Sequence, residues 1–581
     1  MDAEAVHRSH GEAVLRHPGE AMLHMHGPSR REVIAGAGAA VATALSAART
    51  PAAADLAPPA PSVAYATGFV FEDRSGTRQP NSPGIADVMI SNGRDVVLTD
   101  AAGRWTLPVM SGDSVFVIKP RNWVTPAGAG GVPRFAHLHQ PEGTPPGLGL
   151  RFPGVAPAGP LPPSIDFPLR RCEEPERFDV LLFADTQPGN AAELGYVRDD
   201  IVASVLGTEA AFGIHHGDAM ADDLSLLPRY LDILGTTGIP WHHCPGNHDL
   251  NLDSTDPRFA FETWKRTFGP THYAFQYAGA TFILLNNVEP LAPGDAPQGG
   301  RRYRGRIGET QLRFVENVLR HVPEDRLVAV SMHIPLVSFN DPASAADTTA
   351  DRRALLALLA RRPHTVSFAG HSHTTEHHYL GADAGFGRAE PHHHHVLTAA
   401  SGSWWGGPRD HRGIPLAESR DGSPKGFHVL SVDGNRYTTR FVASGPSQGA
   451  QMRIMLHSGQ SADQAAGLCC CPLTRAALPS LKIAADVFDG GPRTQVMCEI
   501  EGAGLAPVAM QRATMPDPFI VDTFAKNRAL HKPWVAAAPS SHLWTAPLAA
   551  ELPPGAYRLV VRATGEYGGE HVAHMVLEIT A

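Results

Sequence analysis

Five short polar clusters, each closing an apolar run, hold the side chains from which this protein could build a reaction centre. They are Asp185-Thr186-Gln187, Gly217-Asp218, Gly246-Asn247-His248-Asp249, Met332-His333 and Gly370-His371-Ser372-His373. The runs before them, over 178–184, 211–215, 239–244, 327–331 and 365–369, read as buried strands. In an α/β sheet, residues at the carboxyl ends of parallel strands converge on one crevice. Brought together, the clusters offer carboxylate, amide and imidazole donors in the proportions that suit two metal ions, and two metal ions suit phosphoryl chemistry.

The clusters carry different parts of that reading. In Gly246-Asn247-His248-Asp249 the glycine lets the chain turn sharply off its strand, and the Asn247 carbonyl oxygen is a neutral metal ligand. His248 then lies beside the metal, placed to contact a scissile phosphate or protonate a leaving oxygen, with Asp249 expected to orient its ring. An ordinary Asn-His-Asp turn is the structural alternative. His371 and His373, two residues apart, can diverge toward two ions, although such pairs also occur on solvent-facing strands. Asp218, next to Gly217, is placed to bridge both ions. Asp185 ends an apolar strand, where an unpaired buried carboxylate would be costly and a metal partner accounts for it. His333 is promoted by its order in the chain alone.

The elements that must position these residues follow from pattern. Strands alternate with helical stretches from 178 to about 442, the helices expected over 192–206, 224–234, 308–321 and 350–360. That is the βαβ rhythm of a layered α/β domain. Before it, short alternating runs at 65–72, 88–91, 95–99, 103–107 and 114–118 read as a small β-sandwich without a catalytic constellation. After it, β-patterning returns at 483–488, 495–500, 557–563 and 572–579, a second sandwich whose aromatic stretch at 534–544 is expected to pack or dock. The resulting division is 1–54 leader, 62–170 N-terminal β-sandwich, 176–443 catalytic domain and 475–581 C-terminal β-sandwich. Pro391-His392-His393-His394-His395 is expected to be an exposed loop, with adventitious metal binding as a consequence. Trp404 and Trp405 border the expected cleft and could stack on a base or sugar, with aromatic packing as the alternative.

Length and composition bound the rest. The 581 residues suit three or four domains, and 43% hydrophobic with 18% charged residues is ordinary for globular protein. A formal charge of −9 provides no basic footprint for nucleic acid. Six cysteines in a chain this long make no disulfide scaffold; Cys469, Cys470 and Cys471 are consecutive, and a bridge to Cys498 and free thiols are both open. Ser29-Arg30-Arg31 precedes an uncharged Ala/Gly run over 35–48 and a small-residue cleavage candidate at 51–54. This resembles a twin-arginine signal, implying export to the periplasm or beyond, with Met22 or Met25 as a candidate start. An alanine-rich leader without a targeting role is the alternative. The run is too short and too weakly apolar for a membrane span.

Taken in order, the five clusters resemble the calcineurin-like metallophosphoesterase family, whose pattern is Asp-x-His, Gly-Asp, Gly-Asn-His-Asp/Glu, a lone His and Gly-His-x-His. The flanks are similar to the β-domains of one bacterial branch, a narrower match carried by Ser403-Trp404-Trp405-Gly406-Gly407-Pro408 and by Asp421-Gly422-Ser423-Pro424-Lys425-Gly426-Phe427. The resemblance implies a four-layer domain, a β-sandwich flanked by helices. It implies one metal held by Asp185, Gln187, Asp218 and His373, and another held by Asp218, Asn247, His333 and His371. Gln187 stands where many members have His, which bears on metal affinity and preference. The purple acid phosphatase branch places a Tyr ligand where this chain has Ala221, which sets that branch aside. Two divalent ions supply about +4, against about −3 from Asp185, Asp218 and a bridging hydroxide, leaving a cationic pocket for phosphate. The implied reaction is in-line attack of that hydroxide on a phosphate mono- or diester, with His248 assisting the leaving group and Mn, Fe or Zn as the metals. A phosphoprotein or phosphomonoester phosphatase is one rival reading. A cell-envelope binding protein with weak residual catalysis is the other.

Overall fold

The computed structural model describes residues 63–74, 79, 81–296, 300–458 and 467–581. The leader and its twin-arginine reading lie outside the described residues. Each apolar run that precedes a polar cluster is a strand: β1 (Arg177–Phe183), β2 (Phe212–His216), β3 (Trp241–Cys244), β6 (Leu327–Ser331) and β7 (Thr365–Ala369). Between and after them come β4 (Tyr273–Tyr277), β5 (Ala280–Leu284), β8 (Glu376–Leu380), β9 (His392–Val396), β10 (Gly426–Asp433) and β11 (Arg436–Ala443).

Two sheets result. One runs β3-β2-β1-β10-β11, with β1 to β3 parallel and the last two antiparallel; the other runs β4-β5-β6-β7-β9-β8, with parallel β5, β6, β7 and β9 between antiparallel edges. Side chains alternate across each strand. Phe178, Val180 and Leu182 of β1 therefore enter the core between the sheets, while Leu181 and Phe183 face helices α1 (Ala191–Tyr196) and α2 (Leu227–Gly235). On the far side, α4 (Glu309–Leu319) buries Phe314, Val315, Val318 and Leu319, and α5 (Arg352–Leu359) buries Leu355, Leu356 and Leu359. Those spacings are one helical face. The α/β class and the expected four layers are both present. A further helix, α3 (Glu262–Phe268), packs Trp264 and Phe268 beside β3.

Sheet-rich domains flank these layers. The N-terminal one pairs two four-stranded sheets and shares its core with the catalytic layers, where Phe116 meets Phe314 at 5.8 Å between ring centroids. The C-terminal one packs a four-stranded sheet, beginning with strand Met452–Ser458, on a five-stranded one. All six cysteines are free thiols. The stretch at 534–544 contributes to strand Pro539–Pro547, from which Ser541 Oγ donates to the Thr375 carbonyl at 2.8 Å. That is the docking role expected of it.

One expectation fails. The four histidines at 392–395 are not an exposed loop: they form β9, an interior strand in which all four are buried. Burial holds the His392 ring neutral, pushing its pKa down to about 3, and a neutral imidazole can be both donor and acceptor. On one face His392 and His394 share Ser367 Oγ at 2.8 Å each, and His394 Nε2 accepts the Leu336 N–H at 3.0 Å. On the other, His393 meets Tyr437 Oη at 2.9 Å and His377 at 2.9 Å. Satisfied polar groups can be buried, and these rings are satisfied except at His395 Nε2, which has no hydrogen-bond partner.

Candidate active site

The expected residues meet where β1, β2, β3, β6 and β7 end. Their backbone is unusual in the same place: Asp185, Gln187, Asp218, His371 and His373 all have positive φ, between 36° and 76°. Non-glycine residues rarely adopt that region, and such strain gathers at functional sites. Two glycines make the convergence possible. A Cβ on Gly246 would lie 2.2 Å from Asp218 Oδ1, and one on Gly370 would lie 2.4 Å from Asp185 Oδ2. Gly246 thus serves close approach as the chain leaves its strand, without a positive φ. The loop after β1 is fixed by α1, where Asn190 caps the N–H groups of Ala192 and Glu193, and Glu193 accepts the Gly189 N–H.

Two sets of donors face one another across Asp218. On one side, His333 Nδ1 donates to the His216 carbonyl at 2.8 Å, which turns Nε2 toward Asn247 Oδ1 (3.0 Å), His371 Nδ1 (3.2 Å) and Asp218 Oδ1 (3.3 Å). His371 Nε2 is in turn held by the Ala346 carbonyl at 3.1 Å and Asp347 at 3.3 Å. Asp218, His333 and His371 form a group able to hold a metal ion. On the other side, His373 Nδ1 donates to the Gly402 carbonyl at 2.5 Å and its Nε2 faces Asp185 Oδ1 at 3.6 Å. Gln187 Nε2 donates to Asp218 Oδ2 at 2.7 Å, which leaves its carbonyl oxygen free for another partner.

Asp185 Oδ1 and Gln187 Oε1 are buried and have no hydrogen-bond partner. An orphaned buried oxygen calls for an explanation, and a cation supplies one. Burial, with Asp218 adding to it against the pull of His333, pushes the Asp185 pKa up to about 7, so this carboxylate is costly as an anion without a cation beside it. Burial also drives His373 down to about 3, leaving a neutral ring with a lone pair to give. The donors present therefore fit two metal ions: Asp185, Gln187, Asp218 and His373 for one, and Asp218, Asn247, His333 and His371 for the other.

His248 differs from the rest because its side chain is 34% exposed, at the mouth of the site. Its N–H donates to Asp218 Oδ1 at 2.9 Å, and its ring Nδ1 pairs with Asp222 at 2.8 Å. Burial alone would lower its pKa, but Asp218 and Asp222 raise it to about 9. Asp249, expected to orient this ring, does something else: its two oxygens accept the N–H groups of Ala219, Met220 and Gly246 at 3.0–3.1 Å. It ties the β2 loop to the β3 loop, while the imidazole Nδ1 pairs with Asp222 instead. Asp222 takes the place expected of Asp249, and only its position four residues after Asp218 signalled it.

Arg301 was also missed. It reaches the site from just before the short strand Tyr303–Gly305, pairing with Asp347 at 2.5 Å and passing 3.5 Å from His371 Nε2. Trp405 is buried, its indole N–H donating to the Thr186 carbonyl at 2.8 Å, and Trp404 stacks on His373 at 4.0 Å. Both support the site's walls, which is the packing alternative.

Comparison with known proteins matches this geometry to a family. Residues 178–375 match the profile of calcineurin-like phosphoesterase, 72–146 match its N-terminal part and 394–571 its C-terminal part. The chain belongs to the calcineurin-like phosphoesterase family. As a member it is a metal-dependent phosphoester hydrolase. Among solved structures, a purple acid phosphatase from seeds of yellow lupin (Lupinus luteus) is similar at 12% identity, covering 62% of this chain and 67% of that one with a TM-score of 0.34. A likeness of that size carries no argument about branch or substrate. No curated protein matches the chain. Among the described residues, no helix is long and apolar enough to cross a membrane.

Proposed function

We propose that this calcineurin-like phosphoesterase is an exported hydrolase that uses two metal ions to cleave a phosphate mono- or diester. The observation that carries the reading is the pair of orphaned, buried oxygens, Asp185 Oδ1 and Gln187 Oε1, facing His373 across the space opposite the Asp218–His333–His371 group. When bound, the metals supply positive charge for the phosphate and lower the pKa of a water they hold. The chain's own residues do the rest. His333 and His371 are locked by the His216 and Ala346 carbonyls, so their lone pairs point inward before any ligand arrives. Arg301 brings a guanidinium to the rim, suited to a phosphate oxygen. His248 keeps Nδ1 on Asp222 and offers Nε2 to the substrate; as the P–O bond breaks, the proton at Nε2 passes to the leaving oxygen.

Hydrolysis of p-nitrophenyl phosphate and bis-p-nitrophenyl phosphate, with Mn, Zn or Fe restored to metal-stripped protein, tests the activity and ranks monoester against diester. Absence of metal-dependent turnover on both would remove the reading. The twin-arginine leader supports export. Changing Arg30 and Arg31 together to Lys should abolish export of a reporter carrying residues 1–54, and unchanged export would refute it.

A further inference from the structure

A second histidine–carboxylate cluster lies away from the reaction centre, at the edge of the two sheets where the C-terminal domain docks. His377 of β8, His395 of β9 and His428 of β10 turn their Nε2 atoms onto one oxygen, Oδ1 of Asp489, which follows strand Leu481–Val487 of the C-terminal domain. The distances are 3.0 Å, 3.2 Å and 3.1 Å. All three histidine side chains are 0% exposed, and Asp489 is 14% exposed. The ligand atoms of His377, His395 and Asp489 all lie within 4.8 Å of one another, and His428 reaches the same oxygen.

Hydrogen bonding explains this poorly. A carboxylate oxygen has two lone pairs and here faces three imidazole nitrogens, and His395 Nε2 is left without a bond of acceptable geometry. A metal explains it better. Ligands at about 2.0–2.1 Å around a tetrahedral ion lie roughly 3.3 Å apart, close to the 3.0 Å and 3.2 Å from Asp489 Oδ1 to His377 and His395. His428, 3.1 Å from the same oxygen, lies outside the group whose ligand atoms are all within 4.8 Å of one another. Two of the far nitrogens are braced as ligand histidines usually are: His377 Nδ1 is 2.9 Å from His393 Nε2, whose own Nδ1 is 2.9 Å from Tyr437 Oη, and His395 Nδ1 is 3.4 Å from Thr439 Oγ1, whereas His428 Nδ1 has no partner.

We propose that His377, His395 and Asp489, with His428 against the same carboxylate oxygen, bind one further divalent cation, of the zinc class, that staples the C-terminal domain to the catalytic sheets. Imidazoles with a carboxylate suit a borderline ion such as zinc rather than calcium or magnesium. The three histidines are fully buried and Asp489 is 14% exposed, which suits a structural site rather than one open to substrate. Each ligand comes from a different element, and removing the ion would loosen the seam rather than the chemistry.

The test is metal content per folded chain, measured by mass spectrometry on the full-length protein with zinc supplied. Asp489→Asn and His377→Gln should each carry one equivalent less than wild type while retaining phosphoesterase turnover, and should lose the drop in melting temperature that a chelator causes in wild type. Equal metal content in wild type and both variants would overturn the site. Should neither variant fold, cobalt(II) added to metal-stripped Asp218→Asn protein decides the matter, because this change cripples only the reaction centre. One equivalent should produce the intense visible bands of a tetrahedral ion; weak bands alone would overturn the site.

Discussion

The reaction centre and the domain seam are built from the same side chains and arranged on opposite principles. At the reaction centre the proposed ligands sit past the ends of strands, on loops where Asp185, Gln187, Asp218, His371 and His373 hold positive φ, and His248 opens to solvent. At the seam His377, His395 and His428 lie within regular strands, closed on all sides. Loops can bring side chains of different reach into one crevice and leave a face for substrate. Strands fix their side chains by register and leave none. The difference teaches where to look for turnover: strained backbone and an open edge mark chemistry, whereas regular backbone and full enclosure mark support.

The largest break in that contrast comes from Asp218, the one side chain shared by both donor sets. Asp218→Asn should lower kcat by roughly a thousandfold, several kcal/mol of lost charge stabilisation, with the melting temperature little changed. Steady-state kinetics with a parallel melt checks it; a loss of stability in step with activity would erase the distinction. Gly246→Ala tests the crowding alone, since it removes no functional group yet places a methyl 2.2 Å from Asp218 Oδ1. Displacing that carboxylate by an ångström should cost about a hundredfold in kcat.

A finer division runs through Asp222 and Asp249. His248→Ala should cost roughly a hundredfold or more in kcat as a lost general acid. Asp222→Asn, which keeps the ring in place and removes only charge, should cost about tenfold, in the range for groups that orient a ligand or acid. Asp249→Asn should act mainly on stability, because its oxygens hold three backbone N–H groups and an amide can accept only part of that load. If Asp222→Asn melted early while Asp249→Asn kept its stability and lost turnover, the two roles would have to be exchanged.

The legible parts of the sequence were those with a period or a spacing. The strands before each cluster, the helical faces of α4 and α5 and the motif residues could be read because burial imposes alternation and because short motifs fix side chains locally. What could not be read depended on contacts distant in sequence. Nothing local distinguishes Asp222 from Asp249 as the partner of His248, since the choice is made by how two loops cross. β9 misleads in a different way. Four histidines look polar to any hydropathy pattern, but His392, His393 and His394 find partners on neighbouring strands, His395 faces Asp489, and the neutral ring tolerates burial. Asp489, across a domain boundary, is invisible to any argument confined to 392–395.

The smallest effect separates the two regions by pH rather than by turnover. In the seam, His542 lies between Asp421 (2.9 Å) and Asp486 (2.5 Å), all three fully buried. Burial alone would lower the pKa of His542, but the two carboxylates raise it well above 6.5. A group whose pKa is higher folded than unfolded binds its proton more tightly in the fold, so its stabilisation is complete below the unfolded value of 6.5 and is lost as pH rises through the folded one. Asp421 works at the other limit: burial would raise it, His542 brings it below 3.8, and its share is lost as pH falls through that lowered value. Melting temperatures should therefore hold through mildly acidic to neutral pH and decline on the alkaline side, and His542→Gln should start lower and decline less steeply there. Parallel alkaline slopes for the two proteins would mean that His542 carries no proton in the fold, and the seam would then owe its hold to apolar packing.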